Sequence, residues 1–276
     1  MMSRRASYRV GQIAALAMVP ATGFAQSMVE PTDGYAVEPI FTIGESIGDY
    51  TPPGVLDGLG AYRMGPQVVR VFANHELQNN RGYPYEVGDG QGGTYTLTGS
   101  RVSYFDIHRG SRRVIGAGLA YDVIYAHDGQ IATDASFLAN DFGGLSRLCS
   151  SALFEARQFR GAYPDGFPGQ AGDDVSEMVD GLHGFFGRGR RGLEDRIYFT
   201  GEEDGGGFNA VGGNEWALDP ETRSLWAVPA LGRGAWENVT EVDTGRTNMV
   251  AILLSDDTSP FDADPAAGNG AEAAPL

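Results

Sequence analysis

Five short clusters carry the side chains that could do chemistry, and each places polar or carboxylate groups at the end of an apolar run. They are Asn74-His75-Glu76, Ser146-Arg147-Leu148-Cys149, Gly201-Glu202-Glu203-Asp204, Gly232-Arg233-Gly234-Ala235-Trp236-Glu237-Asn238 and Ser255-Asp256-Asp257. Neighbouring carboxylates repel one another, and a chain without lysine offers few cations to offset them, so such groups ask for a bound ion. Carboxylates combined with one thiolate suit a hard or borderline ion such as iron, and all-oxygen positions suit calcium. Taken singly, an Asp-Asp or Glu-Glu pair also fits an acidic turn facing water. Cys149, followed by Ser150-Ser151-Ala152-Leu153, also fits a small buried residue. Arg147 and Arg233 are the cations nearest to these clusters in sequence.

Composition removes several classes of chemistry. All 20 basic residues are arginine, which excludes a Schiff-base lysine, a pyridoxal-phosphate anchor and a P-loop. Cys149 is the only cysteine, so the chain has no internal disulfide and no multi-cysteine zinc or iron–sulfur site. A net charge of −16 argues against a nucleic-acid partner. The four histidines, His75, His108, His127 and His183, read singly as structural residues.

The N-terminus reads as an export signal over residues 1–25. Arg4, Arg5 and Arg9 supply positive charge, Ile13 to Val19 an apolar stretch too short to span a bilayer, and Thr22-Gly23-Phe24-Ala25 a small-residue cleavage site. The Arg4-Arg5 pair is compatible with twin-arginine export. Cleavage there removes three arginines and no acid, leaving −19 on residues 26–276. The expectation is a periplasmic or secreted monomer without a membrane span.

Strands must position the clusters. Residues 67–73, 101–107, 195–200, 215–218, 224–228 and 249–254 are short apolar or β-branched runs between turn signals. Asp219-Pro220-Glu221-Thr222 is a turn that makes residues 214–228 a hairpin. The best helical candidate, residues 173–182, is short. Two segments, 77–100 and 160–194, read as excursions from the framework, the second carrying Arg188, Arg190 and Arg191. This pattern, with 41 glycines, predicts an all-β fold such as a sandwich, a barrel or a β-propeller.

In their order along residues 65–257, the five clusters resemble the PhoX-type alkaline phosphatases and their wider family of bacterial secreted proteins. Gly201, Trp236 and Ser255 depart from that family's pattern, in which a cysteine, a histidine and a glycine are usual. The resemblance implies a six-bladed β-propeller, expected here to lack its C-terminal blades, with Fe(III) and Ca2+ at a central site. It implies hydrolysis of a small phosphate ester outside the cytoplasm and twin-arginine export. Cys149, one of Glu202 or Glu203, and Glu237 are the implied iron ligands. Glu76, the other paired glutamate, and Asp256 or Asp257 are the implied calcium ligands. Asn74 is implied to contact a phosphate oxygen, and Arg147 and Arg233 join it as cations expected near the substrate. Two other readings fit the same clusters: a calcium-stabilised propeller that binds a partner without turnover, and a phytase-like or lactonase-like propeller hydrolase.

Overall fold

The computed structural model describes residue 32 and residues 34–78, 80–138, 144–159, 190–203 and 212–257. The export signal, the helical candidate at 173–182, Arg188 and the C-terminal tail lie outside these residues. The backbone divides into residues 1–42 and 43–276. Within the first unit, the Tyr35 amide donates to the Thr32 carbonyl in a turn.

The second unit is all-β. Thirteen strands are described: β1 (Leu56–Arg63), β2 (Val68–His75), β3 (Tyr85–Gly88), β4 (Thr94–Leu97), β5 (Arg101–His108), β6 (Val114–Leu119), β7 (Val123–Tyr125), β8 (Leu148–Phe154), β9 (Ile197–Glu202), β10 (Glu215–Asp219), β11 (Ser224–Ala227), β12 (Trp236–Val242) and β13 (Ala251–Asp256). The only helical pieces among the described residues are 3₁₀ turns at Ala135–Phe137 and Pro229–Leu231. No described helix is long and apolar enough to cross a membrane. All six expected strands are present, and the Asp219 turn joins β10 to β11 as an antiparallel hairpin. The segment 77–100 is corrected from an excursion to framework, because Tyr85, Val87 and Leu97 of the β3–β4 hairpin are buried in the core.

The strands form three sheets. One is antiparallel, in the order β1-β2-β5-β6. The second runs β4-β3-β7-β11-β10-β9-β8, antiparallel except where β7 pairs in parallel with β3 and β11. The third is the hairpin β12-β13.

Strand β9 lies between two apolar layers, and its alternation explains much of the site. Tyr198 packs with Phe72, Leu148, Trp216 and Leu218 in the main core, while Phe199 packs with Phe154, Ala217, Val239, Ile252 and Leu254. Successive side chains in a strand point to opposite faces, so residues 198, 200 and 202 face the main core and 199, 201 and 203 face the β12-β13 hairpin.

Close backbone approach fixes β1 against this layer. A Cβ placed on Gly60 would lie 2.7 Å from Tyr198 Cδ2 and 2.9 Å from Leu153 Cβ. Gly60→Ala is expected to destabilise the fold by about 1–3 kcal/mol through overpacking, read as a lower urea midpoint at an unchanged m-value.

A second device fastens β2 to β5. His75 is fully buried; its Nδ1 lies 3.0 Å from the Gly54 carbonyl and its Nε2 2.6 Å from Ser103 Oγ, which also meets the Tyr50 hydroxyl at 2.6 Å. A proton on Nδ1 donated to Gly54 leaves Nε2 to accept from Ser103. Burial above all, with Arg101 nearby, lowers the His75 pKa from 6.5 to about 4, against the opposing pull of the Gly54 and Pro53 backbone. The unfolded chain therefore takes up this proton first. The stability it represents is present above pH 6.5 and is lost as the pH falls from 6.5 towards 4, an expected loss of about 3 kcal/mol. Denaturant titrations at pH 7 and pH 4.5 check this, and the pH dependence is expected to be shallower in His75→Gln.

Candidate metal centre

Backbone irregularities bring the reactive groups together. The β1–β2 register slips between Leu56 and Leu59, the β8–β9 register between Cys149 and Ala152, and the β12–β13 register between Trp236 and Asn238. Asp57 and Glu237 sit inside two of these bulges, and Cys149 borders the third. A bulge inserts an extra residue, bends the strand and re-aims a side chain. Around Cys149 the chain is also bent into left-handed backbone at Arg147 (φ 44°) and Ser150 (φ 32°), conformations that residues with a Cβ adopt at a cost.

The result is two overlapping groups. Ligand atoms of Asp57, Glu76 and Cys149 lie within 4.8 Å of one another, and so do those of Cys149, Glu203 and Glu237. Cys149 belongs to both. Its thiol donates to Glu237 Oε2 at 3.3 Å, and the Ser150 amide donates to Asp57 Oδ2 at 2.5 Å. Arg147 spans the other side, its Nη2 lying 2.9 Å from Glu76 Oε1 and 2.7 Å from Glu203 Oε2. Asp57 and Glu237 have no ion pair among the described residues. Two of the four carboxylates thus share one guanidinium, and the cluster keeps an excess of negative charge.

Protonation follows from burial first and from this excess second. Burial pushes the Cys149 thiol well above its ordinary pKa, and the facing Asp57 and Glu237 carboxylates push it further. Burial also raises Glu203, with Glu76 and Glu237 adding to the rise and Arg147 and the Cys149 hydrogen bond opposing it. The sulfur accordingly holds a proton between carboxylates. A cation in that position would remove the repulsion and favour the thiolate. One sulfur with several carboxylate oxygens is a donor set that fits iron, so the residues present are compatible with the expected ion.

The other expected site residues are placed elsewhere. Asn74 is fully buried: its amide donates to the Leu148 carbonyl, and its oxygen accepts from the Tyr198 hydroxyl at 3.0 Å, tying β2 to β8 and β9. Glu202 and Glu203 diverge to opposite faces of β9. The Glu202 carboxylate accepts from the Ser146 amide at 3.3 Å and the Asn214 amide at 3.1 Å, beneath the sheet. Arg233 donates from Nε to the Gly212 carbonyl at 2.6 Å. Asp256 accepts from the Ala235 amide at 2.5 Å, and the Asp257 amide donates to the Ala235 carbonyl at 2.8 Å, so both brace the turn before β12. Of these, Glu202, Asp256 and Asp257 join neither ligand group. Of the arginine segment, Arg191 is buried and pairs with Asp243 at 2.7 Å.

Asp57 was not visible as a candidate, because Leu56-Asp57-Gly58-Leu59 breaks strand alternation at the bulge. Its signal was the Gly58 beside it: a Cβ there would lie 2.4 Å from Ser151 Oγ and 2.5 Å from Asn74 Oδ1, so glycine lets β1 approach the site. No protein-family model, curated protein or solved structure matches the chain.

Proposed function

We propose that the Cys149 cluster is the metal centre of a phosphomonoester hydrolase of PhoX type, exported to the periplasm or beyond. The observation that carries the reading is the meeting of Asp57, Glu76, Cys149, Glu203 and Glu237, drawn from separate strands and strand ends, on one solitary thiol. Motif order along the chain supports the family, and the four-stranded antiparallel sheet β1-β2-β5-β6 is of the size from which propeller blades are built, whereas β8-β9-β10-β11 continues through β7 and β3 into a seven-stranded sheet.

In this reading Cys149, Glu203 and Glu237 hold iron, and Glu76 and Asp57 extend the site with the oxygen donors that calcium prefers. Metal ions there supply neutralisation of the phosphate charge and electrophilic activation of the ester. The protein's own groups do the rest. Cys149 gives up the proton it shares with Glu237, and the bulges hold the carboxylates converged. Arg147 is the partly exposed cation of the cluster, and its guanidinium suits the binding and orientation of a phosphate monoester in a strongly acidic protein. The substrate is a small phosphate ester, and the protein acts as a monomer.

The test is hydrolysis of p-nitrophenyl phosphate by the full chain supplied with Fe(III) and Ca2+, with metal content measured in parallel. Cys149→Ser and Glu237→Gln are each expected to lose iron and to lower kcat by roughly 100-fold or more, beyond the usual cost of altering an outer neighbour of a metal. Asn74→Ala is expected to lower stability through its lost strand ties while iron stays bound. Iron retained in Cys149→Ser, or calcium bound with no hydrolysis by the wild type, would overturn the assignment.

A further inference from the structure

Positive charge gathers at one end of the first sheet. The β1–β2 hairpin turns over residues 64–67, directly after Arg63, and the β5–β6 hairpin turns over residues 109–113, which include Arg109, Arg112 and Arg113. Neither residues 63–67 nor residues 107–117 contain an aspartate or a glutamate. The two turns lie side by side: the Arg109 amide donates to the Gln67 carbonyl at 2.8 Å, and Arg109 Nη1 to the Pro66 carbonyl at 3.0 Å. Arg63 Nε donates to the Gly65 carbonyl at 2.9 Å. Carbonyls orient these guanidinium groups without neutralising them. Arg63, Arg109 and Arg113 are exposed and form no ion pair among the described residues.

This end stands apart from the rest of a strongly acidic chain. Carboxylates on the adjoining strands are neutralised locally: Asp106 of β5 pairs with Arg70 at 2.8 Å, and Glu155, which follows β8, pairs with Arg196 at 2.7 Å. Apolar side chains share the surface. Met64 in the first turn is 50% exposed, and Ile115, pushed out by the β5–β6 bulge, is 59% exposed. The acidic Cys149 cluster is at the other end of the same strands: Asp57 and Arg63 are six residues apart on β1, roughly 20 Å at the rise of a strand. That is more than twice the screening length of about 8 Å at physiological salt, so the cluster does not cancel the attraction of anions to the turns.

We propose that the paired turns are a membrane-docking surface, on which Arg63, Arg109 and Arg113 contact the phosphate headgroups of an anionic lipid bilayer and Met64 enters the boundary between headgroups and acyl chains. Guanidinium forks match phosphate oxygens, and exposed apolar side chains beside them gain from burial in that boundary. A soluble polyanion would satisfy the arginines and leave Met64 and Ile115 in water, which is why the surface fits a bilayer. Docking is peripheral and spans nothing. It directs the far ends of β1 and β2, with Asp57 and Glu76, away from the lipid. The inference stands independently of the reading of the Cys149 cluster as a metal centre.

The experiment is cosedimentation of the full chain, without added metal, with vesicles of phosphatidylcholine alone or mixed with phosphatidylglycerol. The wild type is expected to bind the anionic vesicles and not the neutral ones, and to be released as salt is raised. Each arginine at an anionic surface is worth a factor of about five in partitioning, so the triple variant Arg63→Gln, Arg109→Gln, Arg113→Gln is expected to lose binding about 100-fold. Arg113→Gln alone, at an exposed turn position, is expected to lose about fivefold and serves if the triple variant does not fold. Met64→Ser is expected to weaken vesicle binding severalfold with an unchanged salt dependence. Absence of binding, equal binding to both kinds of vesicle, or binding that neither arginine variant lowers overturns the proposal. So does a Met64→Ser variant that binds vesicles like the wild type while heparin binds the protein as tightly as vesicles do, which would make the turns a site for a soluble polyanion.

Discussion

Like charge held in one place is the constraint around which this site is organised. Asp57, Glu76, Glu203 and Glu237 gather around Cys149 with Arg147 as the guanidinium in contact, and that guanidinium reaches Glu76 and Glu203. Carboxylates so close do not converge for stability alone, since each like-charged neighbour raises the cost of ionising the next. Burial first, and these like charges after it, raise the Cys149 thiol and the Glu203 carboxyl. A proton between sulfur and carboxylate relieves part of the repulsion, and a multivalent cation would relieve far more.

The backbone bears the cost of this arrangement. Three bulges and two left-handed residues with side chains lie at or next to the cluster, whereas the ladders between β2 and β5 and between β10 and β11 run in unbroken register. Well-paired strands and the two apolar layers around β9 supply the rigidity that holds those irregularities in position. Asn74, His75 and Glu202, which read in the sequence as part of a reactive constellation or its flank, act within that scaffold by tying strands to one another.

Sequence patterning revealed the all-β class and the strands with clean alternation or dense β-branched content, such as 101–107 and 249–254. It missed β1, β8 and β12, because the bulges that make the site interrupt the period of two on which strand reading depends. The choice between Glu202 and Glu203 was open for a related reason. Strand β9 is covered on both faces, so alternation separates the two glutamates without saying which face holds the cluster.

The central claim is that a cation binds through the solitary thiolate together with carboxylates from separate strands. X-ray absorption spectroscopy at the iron edge of the iron-loaded full chain addresses that directly. The account predicts an inner shell with one sulfur scatterer among oxygens, with the sulfur absent when Cys149 is replaced by serine. An inner shell of oxygen and nitrogen alone, the same in both proteins, would contradict it.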